Sequence, residues 1–320
     1  MSTVNAEASQ LLALDIGGTK VGWARVAATA ASVVILERGS IGTDAASGGQ
    51  AVMSRLEQLI GRLCADFPEV VGVGVASAGV IDPHTGRVIS ATNTMPGWGG
   101  TELGRRLSRA SGLPVSVIND VHAHGLGEAT YGAGRGAPTV LAMAVGTGVG
   151  GAVVRDGHIV FGDHFVAGHF GHVHHHYAQE VLCSCGRMGH IEGICSGWGA
   201  THWYNMRKGA DMPELANGRQ LQDAAEAGNK LAQQVITDSA FALGESLGSL
   251  ANCLDPSVVV LSGSMTKNGD MWWESVREGY RRQAMDPVQK LDLVVGTLGD
   301  DAPLVGASVH FMRLIGNKKG

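Results

Sequence analysis

The sequence predicts an α/β protein built from two halves of similar design, and three observations carry that reading. A strand–glycine turn–strand unit occurs near residue 17 and again near residue 148, each followed by further strands and helices. Segments with apolar residues at helical spacing alternate with short apolar runs that end in glycine turns. Glycine is also in excess, at 48 of 320 residues, about twice the usual ~7%. It falls in tight clusters along the chain, which fits many sharp turns and excludes a linker or collagen composition. The boundary between the halves is expected near residue 120, with a cleft between them.

Taken in order, "LLALDIGGTKVGWARVA" (11–27) reads as a strand, a glycine turn and a second strand, and "SVVILERGSI" (32–41) as a third. A helix over 49–67 places Val52, Leu56, Leu59, Ile60 and Leu63 on one face and is ended by Pro68. "VVGVGVASAGVID" (70–82) is a buried strand running into the loop "DPHTGRV". A helix over 101–113 stops at a glycine, "PVSVIND" (114–120) is a strand with a polar C-terminal end, and "VHAHGLGEATYGAG" continues as a helix. Residues 139–160 repeat the strand–turn–strand unit, and helices follow over roughly 196–254. One of these aligns Leu243, Leu247, Leu250 and Leu254 and is stopped by Pro256. "SVVVLSGSM" (257–265) is a strand ending in a glycine turn, and "APLVGASVHFMRLI" reads as helical.

Charge and composition remove several function classes. A net charge of −5 argues against non-specific nucleic-acid binding, which needs a basic face. No apolar run reaches the ~18 residues of a membrane span. The opening "MSTVNAEASQ" lacks the basic and apolar regions of a signal peptide. Five cysteines, an odd number, do not suggest a disulfide framework. The expectation is a soluble cytoplasmic protein without nucleic-acid or membrane partners.

Three glycine turns are candidate phosphate sites. "GTGVGG" (146–151) satisfies G-x-G-x-x-G, yet a dinucleotide site needs a helix after the glycines, and "GAVVRDGHIV" reads as a strand. A β-hairpin tip without side chains can still cradle phosphate on its backbone N–H groups. "DIGGTK" (15–20) offers the same geometry with a carboxylate for Mg²⁺, a hydroxyl and a lysine, and "LSGS" (261–264) is a third glycine turn after a strand. Asp120, at the end of "IND", either caps the following helix or accepts a proton from a hydroxyl that attacks phosphorus. The stretch 165–193 concentrates His169, His172, His174, His175, His176 and His190 with Cys183 and Cys185, so it reads as a metal site, a catalytic site or a polar loop.

Together these motifs resemble the ROK family of sugar kinases and sugar-responsive repressors, over about residues 11–315. "LALDIGGTK" is similar to the family's first phosphate hairpin, "ATNTMPGWGG" to its sugar loop and "VINDVHAHGLGE" to its catalytic segment. "VGTGVGGAVV" is similar to its second hairpin and "CSCGRMGHIEG" to its zinc loop. The resemblance implies a two-lobed actin-like/hexokinase (ribonuclease H-like) ATPase fold. The lobes are expected over 1–120 and 121–302, with a helix over about 303–320 packing back on the first.

The implied activity is transfer of the ATP γ-phosphate to the 6-hydroxyl of a hexose, with Asp120 as general base. Asn93, Asn119, His172 and Glu192 are then expected on the sugar. Asp15, Gly18, Thr19 and Lys20 are expected near the phosphates and Mg²⁺, and Thr147, Gly148 and Gly263 on the nucleotide. Where family members have A-G-E-x-G-H, this chain has "AGHFGH", placing His169 in the glutamate position. A carboxylate only accepts hydrogen bonds and suits two hydroxyl donors. A 2-acetamido sugar has lost one such donor and is bulkier, which suits a neutral imidazole. Bacterial N-acetylmannosamine kinases of the family resemble this chain in that histidine, so N-acetylmannosamine is the expected substrate, in sialic-acid catabolism. Glucose and then N-acetylglucosamine are the alternatives.

The family's zinc loop uses one His and three Cys. His190 takes the third cysteine's place here, leaving His172, Cys183, Cys185 and His190 as a Cys₂His₂ set suited to structural Zn²⁺. His174, His175 and His176 compete as ligands or form a polar run, and Cys195 is expected in the core. A repressor would carry a DNA-binding domain before the first hairpin, and only ten residues precede Leu11. A homodimer is inherited from the family.

Overall fold

The structure, a computed structural model, describes residues 8–29 and 31–316. Contacts divide the chain into two units, residues 1–132 with 161–166 and 300–320, and residues 133–160 with 167–299.

The first unit begins with β1 (Ser9–Ile16), β2 (Lys20–Ala28) and β3 (Val33–Gly42), then α1 (Gly49–Asp66) and β4 (Val73–Ser77). It continues through β5 (Val80–Asp82), β6 (Arg87–Ser90), α2 (Leu103–Ser111), β7 (Val115–Asn119) and α3 (Asp120–Tyr131). Its sheet has the order β3-β2-β1-β4-β7. The first three strands are antiparallel neighbours, and β1, β4 and β7 run parallel.

Alternation along β1 sets the two faces. Leu12, Leu14 and Ile16 join Val52, Leu56, Leu59, Ile60 and Leu63 of α1 in one buried cluster. Leu11 and Ala13 point the other way, to Leu304 and Phe311 of the C-terminal helix Ala302–Gly316. That helix crosses α3 at very close range: a Cβ on Gly127 would overlap the Ala302 carbonyl, and one on Gly306 the Ala123 carbonyl. Part of the glycine excess therefore serves helix crossings as well as turns. Residues 317–320 of the expected terminal helix lie outside the described residues.

Where a loop was expected after residue 82, β5 and β6 form a small hairpin. The Asp82 carboxylate accepts from the His84 N–H at 2.9 Å and the Thr85 hydroxyl at 2.7 Å, and Gly86 takes φ +69°. This local side-chain bonding closes the turn without an apolar signal.

The second unit repeats the topology. Its strands are β8 (Thr139–Val145), β9 (Val149–Arg155), β10 (His158–Ile159), β11 (Val258–Ser262) and β12 (Leu293–Val295), in the order β10-β9-β8-β11-β12. The helices are α4 (Glu192–Cys195), α5 (Gly197–Arg207), α6 (Gly218–Glu226), α7 (Lys230–Leu254) and α8 (Gly269–Gln283). Again three strands are antiparallel and three parallel. Leu243 and Leu247 of α7 are buried, Leu250 and Leu254 pack against the same core, and Cys195 is buried within it. Among the described residues, no helix is long and apolar enough to cross a membrane.

Candidate functional site

In the first unit, Asp15, Ser77 and Asn119 stand at the C-terminal ends of the parallel strands β1, β4 and β7. Asp15 is in register with Ala76, and Ser77 with Asn119. This is the edge of an open α/β sheet where ligands bind. The β1–β2 turn, Gly17–Gly18–Thr19, is closed by the Gly17 N–H donating to the Lys20 carbonyl at 3.1 Å. Buried Thr43 fixes it from behind, its hydroxyl donating to the Gly17 carbonyl at 2.7 Å and its N–H to the Thr19 carbonyl at 3.0 Å. Gly18, Thr19 and Lys20 are exposed at the tip, and a Cβ on Gly18 would meet only open space.

The cap of α3 is Asn119, so Asp120 is left in the first turn with its carboxylate available for chemistry. Asn119 Oδ1 accepts from the N–H groups of Val121 at 3.0 Å and His122 at 3.1 Å. Its Nδ2 donates to the Gly79 carbonyl at 2.9 Å and to Asp120 Oδ1 at 2.8 Å. Both donors and both acceptor positions of this amide are thus engaged within the protein. Asp120 Oδ1 also accepts from the Val121 N–H at 2.9 Å. Burial pushes the Asp120 carboxyl up, while the Val121 N–H, its own N–H and Asn119 pull it back. Asn93 is exposed on a loop anchored by fully buried Trp98, whose indole N–H donates to the Ala78 carbonyl at 3.2 Å.

Burial, then the charge of Asp120, raises the Asp15 carboxyl to about 7; Lys20 opposes this and Asp300 adds to it. Asp300 carries no motif, and only the fold reveals its influence. Between about pH 4 and 7 the folded chain holds a proton on Asp15 that the unfolded chain releases. Stability without divalent cation therefore falls as pH rises through that window, by about 4 kcal/mol at most. Asp15→Asn should flatten that fall, as read by urea melts at pH 5 and 7.5. An unchanged difference between the two pH values would contradict this.

In the second unit, the β8–β9 turn closes with the Gly146 N–H donating to the Gly148 carbonyl at 2.9 Å, and the Gly197 N–H donates to the Gly146 carbonyl at 2.7 Å. Thr147 and Gly148 are exposed. A strand follows the glycines, as expected, so the dinucleotide reading of "GTGVGG" fails. Gly263, at φ +95°, lies so close to the Val145 carbonyl that a Cβ would overlap it. Glu192 ties this hairpin to the histidine-rich stretch. Its Oε2 accepts from the Val149 N–H at 3.0 Å, and its Oε1 accepts from the Ser184 hydroxyl and from Cys183 Sγ at 3.4 Å. Ser184 had no sequence signal of its own.

His172, Cys183, Cys185 and His190 come together, each offering a ligand atom within 4.8 Å of the others. Cys183 Sγ lies 3.5 Å from His172 Nδ1, and Cys185 Sγ lies 3.2 Å from His190 Nδ1. The turn that presents them is held by the Gly186 N–H donating to the Cys183 carbonyl at 2.9 Å and the Cys183 N–H to the Arg187 carbonyl at 2.9 Å. Burial pushes the Cys183 thiol up to about 12, so a metal would have to displace its proton. Two sulfurs and two imidazoles in this spacing are compatible with a tetrahedral structural zinc site. Half-buried His169 sits beside His172, ring centroids 6.3 Å apart and planes 29° from parallel. Of the remaining histidines, His175 is buried and paired with Glu245, which sequence spacing had not signalled.

The sequence profile of the ROK family matches residues 11–313. The chain is 29% identical over 308 residues to a protein named glucokinase from Halalkalibacterium halodurans, covering 92% of each chain. It is also 29% identical over 303 residues to the bifunctional enzyme NanE/NanK of Brucella melitensis, covering 94% of this chain and 53% of that longer one. Among solved structures, it superposes on a ROK family glucokinase from Streptomyces griseus in complex with glucose and AMPPNP, at TM-score 0.76 and 26% identity. That match covers 94% of this chain and 98% of the other.

Proposed function

The chain belongs to the ROK family, and from that premise we propose that it transfers the γ-phosphoryl group of ATP to the 6-hydroxyl of N-acetylmannosamine. The observation that carries the choice of sugar is His169, seated beside His172 where the family pattern has a carboxylate. The similarity to the bifunctional enzyme NanE/NanK of Brucella melitensis supports it. Glucose remains the second reading, because the Halalkalibacterium and Streptomyces relatives are named glucokinases.

In this reading Asp120 accepts the proton of the 6-hydroxyl as it attacks phosphorus. Asn119 and the Val121 N–H hold Oδ1 and so aim the carboxylate. Catalysis rests on positioning and charge stabilisation, so the base needs no neutral pKa. Asn93, His169, His172 and Glu192 would contact the sugar; Asn119 would join them only by exchanging an internal bond. The N–H groups of both hairpins, with Thr19, Lys20, Thr147, Gly148 and Gly263, would take the phosphates and nucleotide.

Asp15 fits a divalent cation: burial first, then the negative charge of Asp120, raises its carboxyl, and a cation would offset both. Bound Mg²⁺ would neutralise charge developing on the phosphoryl oxygens. The Cys₂His₂ set would hold Zn²⁺ with no position left for water, a structural role.

His169→Glu tests the specificity argument. It should raise kcat/KM for glucose relative to N-acetylmannosamine by about tenfold or more, the scale on which one polar contact discriminates. An unchanged ratio would remove His169 from the account.

A further inference from the structure

The run "HHH" (174–176) has no place in the proposed sugar or zinc sites, yet its middle histidine is among the buried polar residues of the chain. His175 is 8% exposed and Glu245, seventy positions away on α7, is 9% exposed. His175 Nε2 and Glu245 Oε2 are 3.2 Å apart. Exposed His176 stacks on His175, centroids 4.5 Å apart. The three ligand atoms of His175, His176 and Glu245 all lie within 4.8 Å of one another. They line a pocket of about 410 Å³ whose walls include His174, Ser246, Ser249 and Cys253.

We infer that His175, His176 and Glu245 form a second metal site, separate from the Cys₂His₂ cluster, that takes a borderline transition-metal dication. Two imidazoles and a carboxylate suit Zn²⁺, Co²⁺ or Ni²⁺ and disfavour Mg²⁺ and Ca²⁺, which prefer all-oxygen shells. Ligand atoms in a tetrahedral site with ~2.1 Å bonds sit ~3.4 Å apart. The His175–Glu245 pair is already near that spacing, and exposed His176 has the freedom to close the remainder. Three protein ligands leave one position facing the pocket, unlike the four-ligand set nearby.

Two contacts oppose the site, and both are weak. The Tyr177 N–H donates to His175 Nδ1 at 3.3 Å and must release it when Nε2 exchanges its proton for metal. Arg282 Nε lies 3.5 Å from the other oxygen of Glu245, on a side chain that is 69% exposed. It can steady that oxygen as an outer partner or swing into solvent.

Cobalt titration of the metal-stripped protein separates the two sites. Co²⁺ in the Cys₂His₂ cluster gives an intense thiolate charge-transfer band, whereas Co²⁺ on two imidazoles and a carboxylate gives only weak visible bands. The wild type should bind two equivalents, one of each kind. His176→Ala, a surface change, and Glu245→Gln, which keeps shape, should each weaken the second by tenfold or more and leave the thiolate band intact. Binding of a single, thiolate-bearing equivalent by the wild type would overturn the proposal. So would retention of the second equivalent at unchanged affinity in both variants. Loss of the thiolate band alone would instead refute the zinc reading of the cysteine cluster and leave this one standing.

Discussion

Asp120→Asn should lower kcat by about 10²- to 10⁴-fold, the usual contribution of a positioned proton acceptor, while the protein remains folded. The substitution is nearly isosteric, and the amide oxygen can still accept from Asn119 Nδ2 and the Val121 N–H. The helix start survives because Asn119, and not Asp120, is the cap. Removing a carboxylate that burial disfavours should leave Tm equal to or above that of the wild type. KM for sugar and ATP should change far less than kcat, since proton acceptance matters in the transition state. Steady-state kinetics beside a thermal melt decide it: near-wild-type kcat removes Asp120 as base, whereas a large fall in Tm would make the loss structural.

Stripping metal from the Cys₂His₂ cluster should produce the second large effect, on stability and on nucleotide binding together. Structural zinc in small domains contributes on the order of 10 kcal/mol to folding. Here the cluster lies on a packed unit, so a loss of ~3–5 kcal/mol, or on the order of 10 °C in Tm, is the expected scale. Glu192 carries the disturbance onward, because it bonds Ser184 of the cluster loop and the Val149 N–H of the second hairpin. Loosening one end should raise KM for ATP. Cys185→Ser should reproduce both changes, and zinc analysis of the untreated protein should find at least one equivalent per chain. Zinc-free protein with the same Tm and KM before and after chelation would contradict the structural role.

Much of this was legible in the sequence because the signals are local. The apolar run of β1, helical spacing from Val52 to Leu63, and glycine turns near residues 17 and 148 each depend on nearest neighbours in the chain. The strand–turn–strand unit, read twice, anticipates the hairpins β1–β2 and β8–β9. Long-range pairings were not legible. Nothing near His175 announces Glu245, nothing near Asp300 announces Asp15, and the saturation of Asn119 depends on the Gly79 carbonyl forty residues upstream. The glycines at helix crossings were equally hidden, since Gly127 and Gly306 acquire their role only when α3 meets the C-terminal helix.

Which sugar the enzyme phosphorylates is read by an ATP-coupled assay across glucose, mannose, N-acetylglucosamine and N-acetylmannosamine. The highest kcat/KM is expected on N-acetylmannosamine, with phosphate on the 6-oxygen of the product. A clear preference for glucose, or no phosphorylation of any of the four, would contradict it.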